Sequence, residues 1–560
     1  MREKIRAIAS ANALEHNGRA EVNSVISKTI GLFPEEKKNL KTLIPEIREI
    51  VEEVNSLSMD EMRMIVERDF PQLLAPVAKE EKRLPDLPGV GKDGVIMRLA
   101  PSPSGPLHIG HARMAILNDE YFRRYGGKLI LRIEDTNPAN IEPMAYEMIQ
   151  EDLRWLDVNF TDLVVQSNRF DLYYSEMKRL VEMGKAYVAT TPTEEFKEKK
   201  QKGIPIKERE DGPEENLERW ERMISGDYGK GEAYALVKTD LNHPNPAIRD
   251  FIAFRIIDQP HPVTGERYRV YPMMNFSVAI DDYHLGLTHV IRGKDHIANT
   301  EKQKYIFNYM GWKTPYYIHY GKVSIEHSIL KTSLIKKGIR NGEFNGWDDP
   351  RLGTLLALRK RGFDPRSIRR YYVESGIGDV DTTFSWEIFY SFNRKIIDNS
   401  CPRHFFVKDP VSLRFEYDGT LKASIPLFPQ LSPGSEKKFR EYSVGKGEII
   451  ISGEDYQKLK SSTARLKDLG DFKIGEGEIE YVGNVKEAAS NGLATKPEKL
   501  PIIHWLSGNA MPFRVAKPDG TIDSGLIEKD VSNYLGTVHQ LERYGYVNII
   551  NEKEGFFTHP

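Results

Sequence analysis

Two histidines three residues apart, in Leu107-His108-Ile109-Gly110-His111, stand where the chain passes from a turn-rich run into a helical pattern. That spacing puts both imidazoles on one face of a helix start, beside backbone N–H groups without intrahelical partners. Such a place suits phosphate. Two imidazole donors can stabilise charge gathering on a triphosphate during in-line attack at the α-phosphorus, with no covalent intermediate, which is what forming an adenylate requires. Gly110 between them lets a flat base approach the backbone. Taken alone, the pair is equally read as a capped helix start.

The elements around it have a definite order. Val95-Ile96-Met97-Arg98-Leu99 reads as a strand, Pro101-Ser102-Pro103-Ser104-Gly105-Pro106 as a loop, and the stretch to Gly126-Gly127 as a helix. Lys128 to Ile133 is the next strand and Ile141 to Leu156 an amphipathic helix, a β-α-β-α order that implies a parallel sheet with ligands beyond its carboxyl ends. The charge-dense 168–273 stretch reads as an insertion with exposed loops at Glu194 to Lys202 and Lys207 to Glu215. Strand-like alternation returns at Tyr271 to Ile280 and His289 to Gly293, then a helix at Asn299 to Met310. After a helical region ending near 395, short strands with hairpin punctuation make the last third all-β. Residues 1–92 are mostly helical, and the Pro/Gly run at Leu84 to Gly91 marks a boundary.

Composition bounds the class. At 560 residues the chain exceeds one hydrophobic core, and 80 Lys plus Arg against 82 Asp plus Glu leave a net charge of −2, so no global positive field advertises nucleic-acid binding. A local basic surface is available in Arg359, Lys360, Arg361, Arg366, Arg369 and Arg370. A single cysteine, Cys401, excludes an internal disulfide and a Cys-rich zinc site and fits a reducing cytoplasm. The Asp281, Asp282, His284, His289 and His296 cluster is better explained by strand ends and a helix than by a metal. No secretory signal and no membrane-spanning run occur.

The stretch from Arg98 to Ala112, with Leu131-Arg132-Ile133-Glu134-Asp135-Thr136-Asn137-Pro138, resembles the class I glutamyl- and glutaminyl-tRNA synthetases. His108 to His111 matches their "HIGH" signature, and Ala100-Pro101-Ser102-Pro103 and Ile133-Glu134-Asp135-Thr136 look like the glutamyl branch. Tyr271 to Asp282, Thr288 to Asp295 and Gly346-Trp347-Asp348-Asp349-Pro350-Arg351 extend the similarity over about residues 95–395, and with the β-rich last third they resemble the archaeal and eukaryotic type. The resemblance implies a multidomain α/β plus all-β protein. Its parts would be a helical amino-terminal extension (1–92), a Rossmann-type catalytic domain in two halves (93–167 and 274–335), an inserted acceptor-binding domain (168–273), a helical connecting region (336–395) and a β-barrel anticodon-binding domain (396–560).

By the same resemblance, Arg98, Ser102 and Arg292 hold the carboxyl groups of glutamate, Glu134 receives its α-ammonium, and Met274 stands where relatives commonly carry Tyr. Two cationic forks suit a two-carboxylate substrate, because an unpaired buried carboxylate is costly and Arg binds it bidentately. His108, Gly110, His111, Thr332 and Ser333 would bind ATP, with His108, His111, Lys331 and Ser333 catalytic. The second family signature, "KMSKS", is altered here to Ile329-Leu330-Lys331-Thr332-Ser333-Leu334-Ile335-Lys336-Lys337-Gly338, where any of Lys331, Lys336 and Lys337 could reach the leaving pyrophosphate from a flexible loop and whether the loop is weakened or rearranged stays open. Trp347, Arg351, Arg359 and Arg361 would contact tRNA; Trp505, Phe513, Tyr544, Tyr546 and Phe556 offer faces for anticodon bases, although most of them read better as barrel core. The expected activity is ATP- and Mg2+-dependent attachment of glutamate to tRNA(Glu), without zinc; tRNA(Gln) as a second acceptor stays open. Glutamine charging, a catalytically silent tRNA-binding paralogue and a small nucleotidyltransferase are the competing readings. The last leaves the β-rich third without a job.

Overall fold

The computed structural model describes residues 1–15, 18–73, 83–326, 328–429, 438–483 and 500–560. By its contacts the chain divides into two units, Met1–Lys82 and Arg83–Pro560. The first is helical. Arg2–Glu15, Val22–Leu32, Leu40–Val54 and Met59–Asp69 bury Ile5, Ile8, Val25, Ile47, Ile50 and Met62 in one core. The last of these helices opens with a capping box, in which Ser58 accepts from the Glu61 amide and Glu61 accepts from that of Ser58.

In the second unit, Val95–Leu99, Gly127–Ile133 and Asp162–Val165 pair in parallel, as do His289–Gly293 and Tyr316–Tyr320. The amide of Thr288 donates to the carbonyl of Ile96 at 2.9 Å, which sets the second pair beside the first. Val95–Leu99 is thus central, with chain order running outward on both sides of it. This is the switch point of an open α/β sheet, where the crevice beyond the carboxyl ends receives ligand. Its core is the apolar faces of these strands packed on Ile109–Tyr125 and Ala145–Trp155.

The 168–273 stretch holds an antiparallel sheet of Ala186–Ala189, Tyr234–Val237, Phe251–Ile256 and Val270–Pro272, packed on Phe170–Glu182 and Pro213–Ser225. Of the two expected exposed loops here, Glu194 to Lys202 lies in a helix, while 207–215 is a 3-10 turn, Lys207–Arg209, and a bend ahead of the helix Pro213–Ser225. Thr193–Lys202 is anchored by buried Phe196 and laced by Lys197–Glu194 and Lys199–Glu195 pairs, and Pro213 starts the other helix at the position where a missing N–H costs nothing. Strand-like alternation also misled at 271–280: only Val270–Pro272 is extended, and Met274–His284 is a helix buried from Phe276 to Asp282. A short run that is apolar on every side has no period to read.

The last third forms a six-stranded and a seven-stranded mixed sheet with barrel-like curling, plus the hairpin Leu421–Pro426 with Phe439–Val444. Trp505, Phe513, Tyr546 and Phe556 are buried in it, as expected for most of these aromatics, and the half-buried Tyr544 donates its hydroxyl to Asp523 at 2.8 Å. Among the described residues no helix is long and apolar enough to cross a membrane.

Candidate active site

His108 caps the helix Ile109–Tyr125. Its Nδ1 accepts the amides of Gly110 and His111, at 3.1 and 3.3 Å, and its own amide donates to His111 Nδ1 at 3.3 Å. With both Nδ1 atoms accepting, each neutral ring carries its proton on Nε2. Burial lowers the His108 pKa to about 4, and burial with the neighbouring ring lowers that of His111 to about 3, so both are neutral donors at physiological pH. The rings stack at 3.6 Å. A Cβ on Gly110 would lie 2.9 Å from His108 Cε1, so this glycine serves the imidazole it follows as well as any incoming base.

A pocket of about 260 Å³ opens beside them at the sheet's carboxyl ends. Arg98, Ser102, Gly110, His111, Glu134, Met274 and Arg292 line it, seven of the residues singled out from sequence. Arg98 and Arg292 are 4% and 7% exposed. Arg98 donates to the Ile291 carbonyl, and Arg292 to Thr300 and Gln303, while the Nε of each is buried with no partner. Burial pushes the Arg98 pKa down against the pull of Asp282; for Arg292, burial and then Arg98 lower it to about 10. Two buried guanidinium groups that repel each other and hold unspent donors form an anion site. The amide of Glu134 donates to the Pro101 carbonyl at 3.0 Å, tying the carboxylate's strand end to the loop that carries Ser102.

Sequence reasoning missed Tyr320 and Met114 in this lining, which arrive by tertiary folding and leave no local mark, and noticed His296 only as a possible metal ligand. It also missed Arg132, whose signal was available: an arginine within Leu129-Ile130-Leu131-Arg132-Ile133 must have a buried partner. Of Asp281, Asp282, His284, His289 and His296, the first three are engaged by other side chains. Asp281 accepts from Gln166, Arg169 and Tyr173, Asp282 from Arg132, and His284 bonds Glu176.

The second signature segment is a helix, Thr332–Arg340, where a flexible loop was expected. Leu334 and Lys337 point outward while Ile335 and Gly338 are buried, so the segment is an amphipathic helix. A Cβ on Gly105 would lie 3.1 Å from Thr332 Cγ2, which brings the helix start against the 101–106 loop. Lys331 and Ser333 are exposed, and Lys336 is paired with Glu142 at 3.3 Å.

Residues 94–399 match the family of class I tRNA synthetases (E and Q), catalytic domain, and residues 401–491 match the anti-codon binding domain of the same family. A glutamate–tRNA ligase of Thermoplasma volcanium is 51% identical over 100% of this chain and 99% of its own length. The corresponding enzymes of Methanopyrus kandleri and Methanocaldococcus jannaschii are each 43% identical, over 99% of this chain and 98% and 99% of theirs. The chain belongs to the archaeal-type class I glutamyl-tRNA synthetases. A solved glutamate tRNA ligase from Elizabethkingia meningosepticum, in complex with its amino acid, is 20% identical, with a TM-score of 0.41 over 54% of this chain and 70% of that one.

Within this synthetase the expected basic surface after residue 358 is largely neutralised. Lys360 pairs with Asp348, Arg366 with Asp364, Arg369 with Asp119 and Glu120, and Arg370 with Glu374. Arg361 corrects the tRNA-contact expectation most sharply. It is 4% exposed and donates to the carbonyls of Phe557 and Thr558, because its position on the buried side of Leu355–Lys360 faces the last strand, not solvent. Arg351 is clamped by Asp349 and the Glu343 carbonyl, Trp347 is half-buried, and Arg359 is exposed.

Proposed function

We propose that this synthetase, in the cytoplasm, charges tRNA(Glu) in two steps at the pocket between Arg98 and Arg292. An oxygen of the glutamate α-carboxylate attacks the α-phosphorus of ATP and pyrophosphate leaves; a terminal ribose hydroxyl of the tRNA then attacks the glutamyl carbonyl and AMP leaves. Arg98, Ser102 and Arg292 hold the carboxylates, Glu134 receives the α-ammonium, and Met274 fills the pocket wall. The Nε2–H groups of His108 and His111 stabilise charge building on the triphosphate. Lys331 and Ser333, at the start of their helix, reach the leaving pyrophosphate, and Thr332 with Gly110 borders the nucleotide.

The single observation carrying this reading is the pair of buried arginines with partnerless Nε atoms in one pocket with a carboxylate. A substrate with two carboxylates and one ammonium is the complement of that set. Among the described residues no three His, Cys, Asp or Glu side chains converge to hold a cation, so magnesium is assigned to the ATP that brings it. Exposed Arg359, with Trp347 and Arg351 of the same connecting region, is the RNA-facing group there. Charging assays with purified tRNA for glutamate and for glutamine, each with both amino acids, test the reading. Glutamate on tRNA(Glu) is expected, and the same assay decides whether tRNA(Gln) is a second acceptor.

A further inference from the structure

Arg132 lies within an apolar strand and its guanidinium is fully buried. Such a charge persists only when paired and hydrogen-bonded. Here Nη1 donates to Asp282 Oδ1 at 2.7 Å, while Nε and Nη2 converge on a single oxygen of Glu134, Oε1, at 3.2 and 2.9 Å. No described residue donates to Oε2, and Glu134, with a side chain 17% exposed, lines the pocket. One carboxylate oxygen is therefore pinned from behind by a two-donor fork whose third nitrogen is anchored on Asp282. The other is left for a donor arriving in the pocket. Burial works against the Arg132 charge, and Asp282 and Glu134 more than offset it, raising its pKa well above the ordinary value.

Charge adds a second strand to the argument. Arg98, Arg132 and Arg292 face Asp282 and Glu134, and Asp281, which also acts on Arg132, is matched by Arg169 at 2.7 Å, so the cluster is left with one unit of positive charge. Asp282 also keeps a buried oxygen without a partner, and the electrostatic balance of Arg98 depends on it. A substrate with net charge −1 neutralises the set, whereas a zwitterion without a side-chain charge leaves the excess buried.

We propose that Arg132 is a positioning residue of the amino-acid pocket, anchored by Asp282, that fixes the Glu134 carboxylate for the α-ammonium and sets the pocket's charge to match a monoanionic amino acid. The inference rests on the assignment of Glu134 to the α-ammonium. Glutarate, which has both carboxylates of glutamate and no ammonium, separates positioning from general damage. The quantity to measure in tRNA charging by the full-length protein is the glutamate KM relative to the inhibition constant of glutarate.

Arg132→Lys keeps the charge and loses the fork, and should raise that ratio about tenfold, as expected when a charge-assisted hydrogen bond is lost, with the ATP KM within about twofold of the parent. Glu134→Gln should raise the ratio at least as much, and the double variant should be no worse than Glu134→Gln alone, because both act through one carboxylate. Equal changes in the glutamate and glutarate constants, or single effects that multiply in the double variant, would overturn the proposal. If Arg132→Lys yields no folded protein, Asp282→Asn decides in its place: a raised ratio supports the relay and an unchanged one sinks it. An unchanged ratio in Glu134→Gln would instead remove the ammonium assignment itself. A rise in Glu134→Gln with none in Arg132→Lys would remove the relay alone.

Discussion

The amide of Ile109 donates to the carbonyl of Gly353 at 3.0 Å. Gly353 in turn donates to Ile329 at 3.2 Å, and Leu355 to the Leu107 carbonyl at 2.9 Å. The first signature, at His108–His111, is thus stitched by backbone to the run leading into the second, at Lys331–Ser333, although more than 200 residues separate them. A Cβ at position 353 would lie 2.3 Å from Leu330 Cδ2, so glycine keeps that seam closed. The two signature segments are thus positioned by main chain rather than by side-chain contacts between them.

His108→Ala and His111→Ala are expected to lower kcat by about 10²-fold each while the glutamate KM stays near the parent value, because the Nε2–H donors act on charge that develops in the transition state. Steady-state charging separates the two constants. Unchanged turnover in both variants would remove the histidines from the mechanism.

Arg98→Lys and Arg292→Lys should each raise the glutamate KM, by about tenfold, and leave the ATP KM within about twofold, since lysine keeps the charge and loses the planar fork. A glutamate KM unaltered in both variants would mean that the arginines only support the fold.

For the altered signature, Lys331→Ala should depress adenylate formation strongly in the presence of tRNA, with tRNA affinity nearly unchanged. Lys336→Ala should cost stability first, because its ammonium holds Glu142, whose amide donates to the Pro103 carbonyl at 2.8 Å. Lys337→Ala completes the set. Pyrophosphate exchange and thermal melting on the three variants check this; normal adenylation in all of them would take the leaving-group role away from the segment.

Arg359 and Arg361 should part company. Arg359→Ala is expected to weaken tRNA binding and flatten its salt dependence by about one unit of slope for a lost phosphate contact. Arg361→Ala should leave that slope alone and lower the melting temperature, because two carbonyls lose their donor in a buried place. Binding isotherms at several salt concentrations, beside melting curves, tell them apart.

Protons act on stability in two opposed ways. Burial lowers the pKa of His108 and His539 to about 4 and that of His111 to about 3, from an ordinary 6.5, so the unfolded chain takes up protons that the folded one refuses. Their contribution is full above pH 6.5 and is lost as pH falls through that value toward 4. Asp152, which accepts from the Leu107 amide at 2.8 Å, is pushed by burial up to about 7, so its contribution is present at low pH and lost as pH rises through 7. Asp152→Asn should therefore raise the melting temperature at about pH 8 relative to the parent, and much less at about pH 5. An equal effect at both would show that the carboxyl does not titrate in this window.

What could be read from the chain beforehand was what local spacing encodes: the His108–His111 pair on a helix start, strand-loop-helix order, and a charge-rich insertion. Arg98, Glu134 and Arg292 lie at strand ends, so the β-α-β-α order already aimed them at one crevice. Tyr320 came from a strand whose neighbours are set by crossover connections and nothing in its own window marks it, while His296 drew notice only as a possible metal ligand and not as pocket lining. Arg361 shows the reverse failure. A run of cations looks solvated until the fold decides which member turns inward, and here the deciding partners are main-chain oxygens nearly 200 residues away.

That inward arginine has a mechanical meaning. Thr558 donates its hydroxyl back to the Arg361 carbonyl, Asn548 donates to that of Lys360 at 2.8 Å, and Asn393 bonds His559 at 2.9 Å. The last two strands, Gly545–Ile549 and Glu554–His559, are thereby riveted to the helical region at Lys360, Arg361 and Asn393, so swinging the β-rich third away from that region would have to break buried hydrogen bonds as well as bend the chain between them.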